Sequence, residues 1–175
     1  MSETSTCRER LSKFCIGKNG LDIGAGGDPI VPWAISIDRD ENSPERSHVG
    51  NAPTNLVGEA SDLYWFKDGV LDFVYSSHVL EDAVDTCAWL KEWMRVIKPG
   101  GHLVLFLPDE LTYVNFCKKN GQLPNQAHKH KDFSMRYVKD CLEKIGYGQE
   151  DIVREADVIQ YGNPYSFDLV VKKKS

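Results

Sequence analysis

The sequence predicts a doubly wound α/β domain: a three-layer α/β/α sandwich around a mostly parallel sheet of seven strands. Three observations carry that prediction. Short apolar runs of strand length alternate with segments of helical period. A glycine turn, Gly24-Ala-Gly-Gly27, follows the first of those runs directly. Two late strand-like runs flank the turn Tyr161-Gly-Asn-Pro164, which predicts an antiparallel C-terminal hairpin at the sheet edge.

Each element has a local reason. Thr6, with Glu9 three residues on, predicts a capping box for a helix over Cys7–Ile16 that Gly17 ends. Gly20–Ile23 and Ala34–Ile37 read as strands, the second running into Asp38. A polar, turn-rich stretch, Asp40–Pro53, precedes short strands at Asn55–Val57 and Val70–Ser76. Leu80, Val84, Cys87, Leu90, Met94 and Ile97 share one helical face, which predicts a helix from Val79 to Ile97. Lys98-Pro-Gly-Gly101 stops it, and His102–Leu107 reads as a buried strand. Asp109 is placed to cap a helix through Lys119, and Ser134 another over Met135–Ile145. Strands near Ile152–Ile159 and Ser166–Lys172 complete the sheet.

Composition narrows the class without naming a function. The 175 residues are 41% apolar and 27% charged, with 21 Lys+Arg against 26 Asp+Glu and a net charge of −5. Those values suit one globular domain spanning residues 1–175 and oppose disorder. Mild acidity makes nucleic acid an unfavoured partner. No apolar run approaches membrane-helix length, and the polar start, Met1–Arg10, is unlike a signal peptide. Five widely spaced cysteines with no CxxC pair read as reduced thiols of a cytoplasmic protein, and no metal site is expected.

The glycine turn suggests a nucleotide-like ligand lying against bare backbone. A dinucleotide fingerprint would place a third glycine where this chain has Pro29, and an acid about 20 residues on. Asp38 comes only 14 residues after Gly24, and no G-K-[ST] follows, so the nicotinamide and P-loop patterns both fail. Carboxyl ends of parallel strands form the ligand rim of such sheets, which groups Gly24–Gly27, Asp38, Gly58–Ser61, Ser76–His78 and Asp109.

Five stretches in order carry a resemblance. Leu21-Asp-Ile-Gly-Ala-Gly-Gly27 resembles motif I of the class I S-adenosylmethionine-dependent methyltransferases. Ser36-Ile-Asp38, Gly58-Glu-Ala-Ser-Asp-Leu63, Leu71–Glu81 and Val96-Ile-Lys-Pro-Gly-Gly-His-Leu103 are similar to the family's following motifs. The short first crossover, with Pro32-Trp-Ala-Ile-Ser-Ile-Asp38, is most similar to compact type 11-like members. The match covers Gly20 to Pro108, the cofactor-binding core. The resemblance implies S-adenosyl-L-methionine as donor and S-adenosyl-L-homocysteine as product. It places Gly24, Ala25 and Gly26 against the methionine and ribose, and Asp22 near the ammonium group. Asp38 would take the ribose hydroxyls, with Arg39 beside it, and Glu59 and the Ala60 amide the adenine. Ser76 and His78 would stand at the methionine end. Asp82 stands where many relatives have His, and capping of the next helix is its expected role.

Methyl transfer depends chiefly on positioning, and on a base only where the nucleophile must lose a proton. His78, His128 and His130 are the candidates for a base or for acceptor binding. His128 and His130 lie in 109–132, the expected acceptor-side segment. From Cys117 to Lys139 six basic residues meet one acid, a local +5 that suggests an anionic acceptor, and the resemblance to the type 11-like group implies a small-molecule or glycan-like one. Two other readings stand beside methyl transfer. One is a non-catalytic module that binds the same donor and acts through a partner; the other is a nicotinamide-dependent oxidoreductase.

Overall fold

In chain order the strands are β1 (Gly20–Ile23), β2 (Ile35–Asp38), β3 (Leu56–Val57), β4 (Leu71–Ser77), β5 (Ile97–Pro108), β6 (Ile152–Asp157) and β7 (Ser166–Lys172). In the computed structural model they form one sheet in the order β3-β2-β1-β4-β5-β7-β6. The structure describes residues 2–39, 54–157 and 163–175. The turn-rich stretch 40–53 lies outside the described residues, as do 158–162, which hold the end of the sixth expected strand and the start of its turn.

Strands β1 to β5 pair in parallel, and β7 runs antiparallel to both β5 and β6. The antiparallel strand is therefore one place in from the edge, and β6 is the edge. Burial explains the order. Strand β7 is buried at six successive positions, which suits a strand with a neighbour on each side, whereas β6 alternates between half-buried and exposed. Strand β5 supplies side chains to both faces with period two. Leu103, Leu105 and Leu107 enter one core, Val104 and Phe106 the other.

The first helix, α1 (Glu3–Leu11), begins four residues earlier than Thr6 and Glu9 suggest. Ser2 Oγ accepts from the Ser5 amide at 3.1 Å, whereas Thr6 Oγ1 donates to the Glu3 carbonyl inside the helix. Thr4, Cys7 and Leu11 form its buried stripe, and burying that stripe outweighs the local capping signal. Helix α1 covers one face of the sheet with Ile30, Val31 and Ala34, packing on Phe73, Tyr75 and Phe106.

The expected helix from Val79 divides. Leu80–Asp82 is a single 3₁₀ turn, Ala83 is extended, and α2 spans Thr86–Val96. Asp85, not Asp82, caps it, its Oδ1 accepting from the Ala88 amide at 2.9 Å. This break frees residues 78–85 to line the rim. Helices α3 (Glu110–Lys119) and α4 (Met135–Lys144) begin at Asp109 and Ser134 as the sequence predicts. Helices α2 and α4 cover the second face, around Leu90, Met94, Val138 and Leu142.

Trp93 of α2 ties this face to the rim. Its ring is fully buried, and Nε1 donates to the Ala60 carbonyl at 2.7 Å, fixing the segment after β3. Trp93→Phe removes the donor and some ring volume, so it should cost roughly 2–4 kcal/mol of unfolding free energy. Urea denaturation checks this; a loss under about 0.5 kcal/mol would contradict the anchoring role.

Candidate active site

The C-terminal ends of β1, β2 and β4 meet at the glycine turn. The Gly24 amide donates to the Ile37 carbonyl at 2.8 Å, so β2 continues to hold the chain just past β1. Gly24, Gly26 and Gly27 have φ values of 74°, 55° and 88°, a region that favours glycine. A Cβ on Gly24 would overlap Val79, which packs directly onto the bare backbone. The turn is thus a close approach in which the Val79 side chain fills the space that a Cβ at position 24 would take.

Two acids brace it. Asp38, at the end of β2, accepts from the Gly26 amide at 3.0 Å and from the Arg39 amide at 2.8 Å. Asp22 is buried in β1, and its Oδ2 accepts from the Ile30 amide at 2.6 Å. Burial pushes the Asp22 carboxyl up to about 7; the Ile30 amide opposes that rise, and Asp28 adds to it. Along the same rim, Arg39 Nε donates to Glu59 Oε2 at 3.2 Å. Ser76 is fully buried, its Oγ donating to the Ile23 carbonyl at 3.1 Å. Its hydroxyl locks β4 to β1 and does not project from the rim.

Beyond β4 the polar groups form a second cluster. His78 holds a left-handed conformation (φ 53°), uncommon for a residue with a side chain. Its Nε2 lies 2.9 Å from Ser166 Oγ, and that hydroxyl donates to Asn163 Oδ1 at 2.9 Å. The serine proton is therefore used, so His78 carries its own proton on Nε2 and turns a bare Nδ1 inward. Asn163 in turn donates to Glu3, whose other oxygen accepts from the Tyr165 hydroxyl at 3.2 Å. His128 Nδ1 meets Glu110 Oε2 at 2.5 Å, and its Nε2 faces Glu81.

Between these two imidazoles stands Glu81, 1% exposed. Its Oε1 lies 3.6 Å from His78 Nδ1 and 3.8 Å from His128 Nε2, beyond hydrogen-bond length. Its Oε2 has no partner. Burial holds the Glu81 carboxyl well above its ordinary range, and nearby Asp82, Glu110 and Glu3 push the same way. Burial also pulls His78 down to about 3, with the His128 charge adding to it. Among the described residues, no group of three or more His, Cys, Asp or Glu side chains is arranged to hold a metal ion.

The structure brings His78 and His128 together and separates His130 from them. His130 Nε2 donates to the Ala83 carbonyl at 2.9 Å and its ring packs near Tyr137, a role in anchoring the 122–132 segment. Glu81, Glu110, Glu3 and Ser166 are absent from the sequence-derived candidates. An acid at position 81, three residues after His78, is the one local signal for any of them. Of the basic residues of 117–139, Arg136 pairs with Asp140 and Lys139 with Glu155, while Lys118, Lys119, Lys129 and Lys131 are exposed, the Lys129 amide donating to the Glu81 carbonyl at 3.0 Å.

Comparison with known proteins agrees with the fold. A family model described as a methyltransferase domain matches residues 21–105. An uncharacterized protein of Methanocaldococcus jannaschii is 26% identical over 86% of this chain and 77% of its own length. A protein of Mycolicibacterium smegmatis named a probable S-adenosylmethionine-dependent methyltransferase is 24% identical over 82% of this chain and 57% of its own. The chain thus spans little more than half of that second relative. A Thermotoga maritima structure, described as a SAM-dependent methyltransferase and possible histamine N-methyltransferase, superposes with a TM-score of 0.69 at 20% identity, covering 98% of this chain and 89% of its own. Residues 21–105 thus form a methyltransferase domain, and the sheet that carries it has the fold of solved structures described as SAM-dependent methyltransferases. No helix among the described residues is long and apolar enough to cross a membrane.

The shifted acid and base titrate in opposition. Asp22, raised, stabilises the fold fully below about pH 4, and that contribution is lost as pH climbs through 7. His78, lowered, is fully stabilising above about 6.5, and its contribution is lost as pH falls toward 3. In the native chain the two slopes offset each other between pH 4 and 6.5. Asp22→Asn should expose the histidine slope. The stability of the native chain relative to this variant should fall by roughly 3–5 kcal/mol between pH 4 and 7, at 1.36 kcal/mol per unit. Urea unfolding across that range gives the answer, and parallel curves would contradict the shifted Asp22.

Proposed function

We propose that the chain carries S-adenosylmethionine across the glycine turn and transfers its methyl group to a small acceptor that enters beside His78. The observation that carries this reading is the overlap of any Gly24 side chain with Val79, because it presses a ligand-ready stretch of bare backbone against the first residues of the acceptor cluster. The residues fit the donor. Asp38 supplies an acceptor-only carboxylate for two ribose hydroxyls, exchanging its present backbone partners for charge-assisted bonds. Glu59, paired with Arg39, stands at the adenine edge, and the Trp93 bond holds Ala60 where its amide serves a ring nitrogen. Gly24, Ala25 and Gly26 line the methionine and ribose path. Asp22 acts through the turn it braces.

When bound, the donor supplies an activated methyl group on a sulfonium. The chain's own residues position the acceptor and receive a proton where one must leave. His128, held by Glu110, and His78, held by Ser166, have the oriented-base arrangement that such a step needs. His130 drops from the base role and serves to hold the segment over the cluster.

Asp38→Ala should weaken S-adenosylhomocysteine binding by about 1.5–3 kcal/mol, the scale of hydrogen bonds to a charged group. Isothermal calorimetry on the folded variant reads this directly. Unchanged affinity would refute the ribose role.

A further inference from the structure

We propose that a cavity between α2, the end of α4 and the tail of β7 binds a small organic carboxylate with an aromatic or aliphatic body. The inference goes beyond the methyltransferase reading and concerns a site separate from the glycine turn. Its basis is a cavity of about 210 Å³ lined by Lys91, Met94, Arg95, Ile145, Tyr147 and Lys173. Arg95 lies just before β5 begins, and Lys173 just after β7 ends. Strand β7 runs antiparallel to β5, with Lys172 opposite His102. The cavity is therefore at the amino ends of the parallel strands, across the sheet from the ligand rim.

The lining is one-signed, with three cations, three apolar side chains and no acid. The cations differ in what already holds them. Arg95 is satisfied by the protein, its guanidinium donating to Glu92, Asp68 and the Leu63 and Phe66 carbonyls. It forms a fixed wall. Lys173 Nζ donates to the Arg95 carbonyl at 3.2 Å and to the Ile97 carbonyl at 2.6 Å. An ammonium carries three N–H groups, so one is left, and no carboxylate pairs with Lys173 among the described residues. Burial pulls this ammonium below its ordinary range; Asp68 opposes that fall, and the Arg95 charge adds to it. Lys91 is exposed and has no hydrogen-bond or ion-pair partner among the described residues. An anion held by Lys173 and Lys91 takes no partner away from the fold.

The apolar side of the cavity decides what carries the charge. Lys91, Met94 and Arg95 stand at i, i+3 and i+4 of α2 and share one face. Met94 belongs to the core there, and Ile145 and Tyr147 pack against it. Lys174 lies 5.7 Å from the Tyr147 ring centroid but pairs with Asp151 at 3.1 Å and Glu150 at 3.4 Å. Its charge is thus already matched. A bare inorganic anion leaves the apolar wall uncovered, an alcohol leaves the Lys173 charge uncompensated, and an amine meets three cations. A carboxylate on an apolar body answers both halves of the lining. The 210 Å³ falls below the roughly 300–1,000 Å³ of pockets for drug-sized ligands, which limits that body to about one ring.

The test titrates the native chain at fixed ionic strength with 3-phenylpropionate, 3-phenylpropanol, 3-phenylpropylamine and inorganic phosphate, read by protein NMR. The carboxylate should bind at least tenfold more tightly than each of the other three, shifting the signals of Met94, Ile145 and Tyr147. Lys173→Met should weaken the carboxylate at least tenfold. Lys91→Glu, at an exposed position without a partner, keeps the test open should the first variant fail to fold, and should weaken it at least fivefold. Both variants should keep S-adenosylhomocysteine affinity within twofold of the native chain. Equal binding of the alcohol, the amine or phosphate, shifts centred elsewhere, or an unchanged carboxylate affinity in a folded variant would overturn the proposal. The titration needs no donor, so failure of the native chain to bind S-adenosylhomocysteine would overturn the methyltransferase reading and leave this site standing.

Discussion

The contact between Gly24 and Val79 is the constraint on which the rim depends. Strand β1 must end in a turn tight enough for its amide to reach β2, and β4 must end in a residue that closes over that turn. Glycine at position 24 satisfies both demands at once, through a positive φ and an absent Cβ. The hydroxyl of Ser76 bonding to the Ile23 carbonyl holds the two strand ends in register one step below. Once this junction is made, Asp38 is brought to the amide of Gly26, and His78 is turned into its left-handed conformation beside Ser166 and Glu81. The glycine turn and the cluster around His78 and Glu81 are thus two faces of one joint.

Electrostatics adds a second layer. The joint buries Asp22 on one side and Glu81 with His78 on the other, and burial moves each toward its neutral form. Asp22 keeps an amide partner and serves the turn. Glu81 keeps an oxygen without a partner, which is costly in a site closed to water. Such a cost persists where the group has work to do with a ligand.

Much of this was legible in the sequence, and the exceptions have physical causes. The seven strands, the caps at Asp109 and Ser134, and the glycine turn follow from local patterns that tertiary packing does not override. The first helix was misplaced because a plausible capping box at Thr6 competes with a buried stripe at Thr4, Cys7 and Leu11, visible only once the sheet beneath it exists. The helix predicted from Val79 was too long because Leu80 and Val84 mimic helical period, although Val84 faces solvent and Ala83 is extended. Residues of the donor side lie within short motifs and could be named. The partners of His78 and His128 come from α1, α3 and β7, far apart in the chain, so no spacing betrays Glu3, Glu110 and Ser166. The sequence records how many charges the 117–139 segment carries and not which way they face.

The most direct measurement is a crystal structure of the chain with S-adenosylhomocysteine bound. The account predicts the ribose on Asp38, the methionine portion against Gly24–Gly26, and the thioether sulfur turned toward His78 and Glu81. A ligand seated away from the glycine turn, or a sulfur turned away from that cluster, would contradict it.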